Sequence, residues 1–258
     1  MQIIRYDNYH NIEKKFYLWV FISKNVNMEI MGLKSSCKNC PYKTLVFDAL
    51  DNEELDFIDN SRKEILYKRG EVIAEEGNLI KEFLYLKTGL LKVYRKGRGN
   101  KNQIIRIAGA SDFVSLLSMF SNEKYKYSLS ALEDTVVCVV DAEKIKNLVK
   151  TNGEFALDVI GRMSYTYDEI IDSTYRIRQK QLRGRIAHIL LYFSKTVYKK
   201  KRFELPLSRR EIAELINMTT ENVIRILSEF RKDKIIQIEK KTIIIIDKGR
   251  LEKINKTG

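Results

Sequence analysis

The sequence is poor in three features that would mark other classes of protein. It contains only two histidines, His10 and His188, so it cannot assemble the histidine cluster of a cupin-type metalloenzyme. Its three cysteines give no disulfide framework and are typical of a protein in the reducing cytoplasm. No apolar run reaches the roughly 18–20 residues that span a bilayer. These shortages favour a globular, cytoplasmic protein that is not an enzyme and does not insert into a membrane.

The excess positive charge lies entirely in the last third of the chain. The net charge is +13; residues 176–258 contain 22 Lys and Arg against 9 Asp and Glu, whereas residues 1–175 contain 25 of each. Neutralisation of DNA phosphates requires cations on one module. A lysine-rich surface kept for solubility is the alternative, and the neutral first two-thirds of the chain disfavours it.

Residues 207–247 carry the pattern of a helix-turn-helix. Ser208 and Glu211 form a capping box for a first helix, Asn217-Met218 interrupts it, and Thr219 caps a second helix. The buried face of the second helix is predicted from its apolar spacing: Val223, Ile226, Leu227 and Phe230. The opposite face is polar: Thr220, Glu221, Asn222, Arg225 and Ser228. A second helix with this polar face is typical of DNA recognition.

The helix-turn-helix is followed by two β-branched runs, Ile235–Glu239 and Thr242–Asp247. Lys240 and Lys241 join them, which predicts a hairpin with a basic tip, or wing.

The region before residue 142 has the pattern of an all-β domain. Leu50–Ile58 predicts a short helix with Asp51 as N-cap. From about residue 64, short apolar runs alternate with turns at Gly70, Gly77 and Gly89, where we expect positive φ angles. Several short strands at such spacing indicate a sandwich or barrel.

A long helix is predicted over Phe155–Arg183. Its residues at 3-4 spacing form a seam of three heptads, which favours a coiled-coil dimer interface: Ile160, Met163, Tyr167, Ile170, Thr174, Ile177 and Gln181. The alternative is a helix that packs on its own β domain. Gly184, which follows, is a hinge or a close-packing position.

The order of these elements resembles the CRP/FNR family of bacterial transcription regulators. The matching motifs are GEVIAEEG (70–77), FLYLKTGLLKVY (83–94), LRGRIAHILLYF (182–193), and SRREIAELI with TTENVIRIL (208–227). The resemblance implies an α+β protein: an N-terminal jelly roll (a double-stranded β-helix like the cyclic-nucleotide-binding domain), a dimerisation helix and a C-terminal winged helix. It also implies a homodimer on a pseudo-palindromic site in double-stranded DNA, acting on RNA polymerase.

Four segments follow from this reading. Residues 1–36 are an N-terminal extension, of which the part before Met28 or Met31 would be untranslated if the reading frame begins at one of these methionines. Residues 37–150 are the jelly-roll sensor, 151–183 the dimerisation helix, and 184–258 the DNA-binding domain.

By resemblance, Glu221 and Arg225 read bases, with Glu accepting from cytosine N4 and Arg donating to guanine. The alternative is a surface ion pair between them. The residues placed for phosphates are Ser208, Arg209, Arg210, Lys240 and Lys241.

The sensor differs from the cyclic-nucleotide members at the positions that would bind phosphate and ribose. They read Ser115-Leu116 and Tyr127-Ser128 instead of Gly-Glu and Arg-Ser, so cyclic AMP is not expected to bind.

Cys37, Cys40 and Cys138 match three ligand positions of a [4Fe–4S] cluster in FNR-type oxygen sensors, whereas the fourth position is Val46. The alternatives are core packing for Cys138, a thiol redox pair, or structural zinc.

The remaining alternative to a transcription regulator is a nucleotide- or small-molecule-binding regulatory subunit of a larger complex. It would not explain the C-terminal charge.

Overall fold

A computed structural model describes residues 36–43, 45–97, 102–121 and 123–258. The interpretation of the N-terminal extension therefore falls outside the described residues, apart from Ser36. The same holds for the side chain of Val46.

The first domain is a roll of two antiparallel sheets. After single turns at Cys37–Asn39 and Leu45–Ala49, its elements are α1 (Asn52–Asp59), β1 (Lys63–Tyr67), β2 (Val72–Ala74), β3 (Glu82–Thr88), β4 (Leu91–Lys96), β5 (Asn102–Ala108), α2 (Leu116–Met119), β6 (Ser128–Ala131) and β7 (Thr135–Asp141). The strand orders are β1-β7-β3 and β2-β6-β4-β5. Apolar side chains from both sheets form one buried cluster, including Leu86, Leu91, Leu129 and Val137. This is the predicted jelly roll.

The predicted local signals of the roll are confirmed. Asp51 and Glu54 form a capping box at the start of α1. Gly70, Gly77 and Gly89 have φ angles of 90°, 94° and 91°. At Gly89 the reason is also steric, because a Cβ would lie 2.5 Å from Oγ1 of Thr135.

Two helices lead out of the roll, and the second ends earlier than the sequence predicts. They are α3 (Ala142–Thr151) and α4 (Gly153–Arg178). The next helix, α5 (Leu182–Tyr192), begins after Gln181, whose extended backbone (ψ 169°) breaks the helical path. Gln181 is therefore not a seam residue, which corrects the prediction. The residues at this break include no glycine or proline, so the local sequence does not predict it.

The second domain is a winged helix built on α5. Its other elements are a π-helical turn (Phe193–Val197), β8 (Arg202–Glu204), α6 (Arg209–Ile216), α7 (Thr220–Lys232), β9 (Ile236–Glu239), β10 (Thr242–Ile245) and α8 (Lys248–Thr257). The sheet order is β8-β10-β9, so the wing has a third strand. Gly184 lies inside α5, where its Cα faces the backbone of Gly258. Of the two roles considered for Gly184, the structure supports close packing.

The winged helix is packed against its own roll. Leu90 and Leu132 of the roll belong to the apolar cluster of the winged helix. Arg69 donates to the carbonyl oxygen of Pro206 at 2.7 Å, and Lys92 pairs with Glu211. Apolar and charged contacts together fix the orientation of one domain on the other.

Candidate nucleic-acid interface and effector pocket

The first helix of the predicted helix-turn-helix is held at both ends. Ser208 and Glu211 form the predicted capping box at its N-terminus. At its C-terminus Asn217 takes a left-handed conformation (φ 52°), and Arg185 of α5 donates to the carbonyl oxygens of Ile216 and Asn217 at 3.2 and 3.3 Å. These bonds tie the turn between α6 and α7 to α5.

The second helix has the buried and exposed faces that its sequence predicts. The Thr219 side chain accepts a hydrogen bond from the amide of Asn222 and caps α7. Val223, Ile226, Leu227 and Phe230 are at most 2 % exposed. The outward face over the first two turns carries Glu221, Ile224, Arg225 and Ser228, with Thr220 and Asn222 half-buried at its margins. This outward face is hereafter called the reading face.

Arg225 is positioned by two neighbours on its own helix. Its guanidinium pairs with the carboxylate of Glu229 one turn further on and donates to Oδ1 of Asn222 at 3.3 Å. Glu229 also pairs with Arg183 of α5, whose guanidinium lies 5.0 Å from the ring centre of Phe230. The ion pair that Arg225 makes with Glu229 is partly exposed, so it can be exchanged for a base at small cost.

The residues predicted to contact phosphates lie in two places, the N-terminus of α6 and the tip of the wing. Ser208, Arg209 and Arg210 lie at the N-terminus of α6. Arg209 is half-buried, and this burial lowers its pKa. The guanidinium of Arg210 donates a hydrogen bond to the carboxylate of Glu214. Lys240 and Lys241 form the exposed tip of the wing, where Lys240 takes a φ of 55°. A basic hairpin tip beside a polar helix face is the layout of a winged-helix DNA reader.

Comparison with known proteins agrees with this geometry. Residues 184–254 match the model of the Crp-like helix-turn-helix domain, and residues 64–152 match the model of the cyclic nucleotide-binding domain. The chain belongs to the CRP/FNR family of transcription regulators. Members of this family bind DNA through the helix-turn-helix and are not enzymes. In the described part of the chain, no helix has the length and apolar character needed to cross a membrane.

Similar CRP/FNR proteins cover most of the chain. The transcriptional activator protein FnrA of Stutzerimonas stutzeri is 25% identical over 220 residues, which is 83% of this chain and 90% of that protein. The fumarate and nitrate reduction regulatory protein of Escherichia coli K12 is 23% identical, over 86% of this chain and 91% of its own length.

Solved structures show the same fold. FixK2 from Bradyrhizobium japonicum superposes with a TM-score of 0.67 at 21% identity, covering 75% of this chain and 97% of FixK2. A putative regulator of the crp/fnr family from Eubacterium rectale gives a TM-score of 0.72 at 20% identity, covering 84% of this chain and 99% of that one.

The roll positions that bind phosphate and ribose in the cyclic-nucleotide members form hydrogen bonds within this protein instead. Oγ of Ser115 accepts from the amide of Leu84, and Oγ of Ser128 accepts from the amide of Glu76, both at 3.0 Å. The hydroxyl of Tyr127 donates to the carbonyl oxygen of Val114 at 2.9 Å. All three polar residues are buried, together with Leu116. These bonds support the expectation that cyclic AMP does not bind in the manner of the cyclic-nucleotide members, which stays a prediction.

The three cysteines line one cavity beneath the turn that precedes α1. Its volume is about 30 Å³, and its other walls include Phe47, Arg62 and Tyr85. That volume holds about one water molecule.

A buried guanidinium stands among these thiols. Nη1 of Arg62 lies 3.7 Å from Sγ of Cys138. Burial raises the pKa of Cys37 to about 12 and that of Cys138 to about 11, and the charge of Arg62 only partly offsets this. Both groups are therefore protonated thiols at neutral pH.

The described residues do not show a complete ligand set for an iron–sulfur cluster or a zinc ion. Within them, no three His, Cys, Asp or Glu side chains converge to hold a metal ion. The spacing of the cysteines in the sequence gave no sign of the arginine beside Cys138.

The predicted seam of α4 divides between two faces. Ile160, Tyr167 and Thr174 point away from the chain. Met163 packs against the core of the roll and Ile177 against that of the winged helix, with Ile170 half-buried. The seam at Met163 and Ile177 is therefore corrected, because these side chains are used inside their own chain.

Six large apolar residues of α4 are exposed, and five of them follow a register that differs from the predicted seam, whereas Tyr165 lies to one side. The five are 46–70 % exposed: Leu157, Ile160, Tyr167, Ile171 and Tyr175. Since 3.6 residues make a turn, these five positions lie on a single face, hereafter called the α4 stripe. Sequence spacing found two of the five, because 3-4 spacing fits both faces of this helix.

Proposed function

We propose that the chain acts as a homodimer that binds a pseudo-palindromic DNA site and regulates transcription in response to a signal in the roll. The observation that carries the proposal is the α4 stripe, five large apolar side chains that no described residue covers, placed between the roll and the DNA-binding domain. Dimerisation along it would present two reading faces, as a two-fold symmetric site requires.

The apolar area of the stripe favours a second copy of this chain as its partner. Isolated exposed apolar residues are ordinary, but five large ones on one face along five turns of one helix mark an interaction surface. A two-fold axis through α4 lets the same stripe meet itself, so one sequence feature supplies both halves of the interface.

The reading face supports sequence-specific rather than general binding. Arg225 can donate two hydrogen bonds to guanine O6 and N7, and Glu221 can accept from cytosine N4. Cations at the wing tip and the N-terminus of α6 would hold the phosphates on either side. Bound near a promoter, such a dimer would act on RNA polymerase, as the family resemblance implies.

The test replaces one stripe residue with a charge. We expect Ile171→Lys to make the full-length chain monomeric in sedimentation velocity and to weaken its binding to a site selected from random duplexes. Leu79→Lys is the matched control, because Leu79 is 52 % exposed, close to the 46 % of Ile171, and lies on the roll. If Ile171→Lys stayed dimeric and bound as the wild type does, the proposed interface would be wrong.

A redox or oxygen signal at the cysteine cavity is the second candidate for the input. The observation in its favour is the meeting of Cys37, Cys40 and Cys138 at one cavity in the sensor. Anaerobic purification with a visible spectrum and iron and sulfide analysis, followed by exposure to air, tests it. A colourless, iron-free protein whose DNA affinity is the same before and after air exposure would remove this candidate and leave the DNA-binding proposal intact.

A further inference from the structure

Ile224 is an apolar side chain on an otherwise polar reading face. It is 51 % exposed, between Glu221 one turn before it and Ser228 one turn after it. Residues three and four apart share a helix face, so Ile224 stands beside the side chains that face DNA in the proposed function. Its neighbour in sequence is Arg225.

Packing does not account for this isoleucine. The apolar face of α7 is complete without it, since Val223, Ile226 and Leu227 are each at most 2 % exposed. A β-branched residue at an exposed helical position also has a lower helix propensity than the unbranched polar residues. An apolar group is therefore kept exposed where both solvent and helix formation would favour a polar one.

One group in the major groove of DNA matches an exposed aliphatic side chain. The 5-methyl group of thymine is the apolar feature that base edges offer there, and cytosine and the purines lack it. Polar groups of the other bases would be desolvated by Ile224 without a hydrogen bond in return.

We propose that Ile224 is a specificity-determining residue that packs on a thymine methyl in each half-site, adjacent to the base pair that Arg225 contacts. This inference rests on the proposed function and deepens it. It assigns to the operator a thymine next to the pair that Arg225 reads, a preference that the guanine contact of Arg225 and the cytosine contact of Glu221 do not give.

The experiment removes the methyl group and nothing else. Selection from random-sequence duplexes with the full-length chain first defines the site. Each thymine of one half-site is then replaced in turn by 2′-deoxyuridine, and the dissociation constant is measured for the wild type, Ile224→Ala and Ile246→Ala. Ile246 is the matched control because it is 53 % exposed but follows β10 at the base of the wing hairpin.

We expect the wild type to lose about fourfold in affinity at one thymine position per half-site, the value for one buried methyl group. Ile224→Ala should bind the thymine and uracil duplexes equally at that position, and Ile246→Ala should keep the wild-type loss. The inference is overturned if the wild type tolerates uracil at every position, or if Ile224→Ala retains the loss. If selection yields no preferred sequence, the proposed function itself fails, and this outcome is separate from the other two.

Discussion

The Nζ of Lys92 lies 2.6 Å from Oε1 of Glu211, which joins strand β4 of the roll to the first helix of the helix-turn-helix. The other oxygen of the same carboxylate accepts from the amide of Ser208 at 2.9 Å in the capping box. Both side chains are largely buried, at 14 % and 20 % exposure. One carboxylate therefore caps the first helix of the helix-turn-helix and ties it to the roll.

This shared carboxylate predicts energetic coupling between the domains. Burial alone would raise the pKa of Glu211, but Lys92 and the Ser208 amide outweigh it and hold the pKa below its usual range. We expect Lys92→Met and Glu211→Gln each to lower the free energy of unfolding by about 1–3 kcal/mol, because each leaves a partly buried group without its partner. Urea unfolding of the two single variants and the double variant measures this.

The double variant decides between a direct pair and two separate effects. Residues in contact couple by about 0.5–3 kcal/mol in such cycles. We expect the double variant to be less destabilised than the sum of the single variants. Additive losses would mean that Lys92 and Glu211 stabilise the protein independently.

The approach of Gly184 to Gly258 predicts a second, steric effect. A Cβ at Gly184 would lie 2.2 Å from the carbonyl oxygen of Gly258 and 2.5 Å from its carbon, so Gly184→Ala must displace the end of α8. We expect a loss of about 1–3 kcal/mol in the free energy of unfolding. Truncation of Gly258 in the same variant should restore most of it.

Gly249→Ala is the control for Gly184→Ala. Its added Cβ would meet only Oδ1 of Asp247 at 3.7 Å, an ordinary contact. Thermal melting of both variants should show a lowered midpoint for Gly184→Ala alone. An equal shift in the two variants would mean that replacing either helical glycine has the same effect, and that the contact with Gly258 is not the cause.

The elements that the sequence predicted are those whose signals are local. The Ser208–Glu211 box and the Thr219 cap each act within one helical turn, so the helix-turn-helix could be placed to within a residue or two. The break after Arg178 could not be predicted, because it has no glycine or proline. It arises where the chain passes from the roll to the winged helix.

Contacts between distant segments explain what the sequence left open. Met163 and Ile177 fit a heptad as well as the exposed residues do, and only the cores they enter show that they face inward. Likewise, Arg62 is separated by 76 residues from Cys138, so no spacing rule connects it to the cysteines. Position on a helix face can be predicted from sequence, but the identity of the surface it meets cannot.

Glu133 predicts a pH-dependent contribution to stability at the junction of the domains. Burial raises the pKa of its carboxyl group, and the hydrogen bond from the hydroxyl of Tyr198 and the charge of Arg69 only partly oppose this. Because the pKa of Glu133 is higher in the folded state, its contribution to stability is present below the unfolded-state pKa of about 4.3. This contribution is lost as the pH rises through the folded-state pKa.

Two variants test this pH dependence. We expect Glu133→Gln to melt at a higher temperature than the wild type at neutral pH, with the difference shrinking toward about pH 4 as the wild-type carboxyl becomes protonated. Tyr198→Phe removes the hydrogen bond that favours the charged form, so the melting temperature of this variant should fall more steeply with rising pH. A pH-independent difference for Glu133→Gln would contradict the assigned cause.

Arg225 provides the test of base reading. In the free protein its guanidinium is held by Glu229 in a partly exposed pair, worth about 0–1 kcal/mol, whereas a bidentate contact to guanine is worth about 1–3 kcal/mol. Replacing the pair with Glu229 by a contact to guanine is therefore favourable. We expect Arg225→Ala to lose about 1–3 kcal/mol in binding free energy on the selected site and to discriminate less at one base pair.

Arg225→Lys keeps the charge but not the two-pronged geometry, so it should bind random duplexes with wild-type affinity and salt dependence while losing the same discrimination. Competition between the selected and random duplexes at two salt concentrations measures both quantities. Equal losses on the two duplexes would assign Arg225 to the phosphates instead.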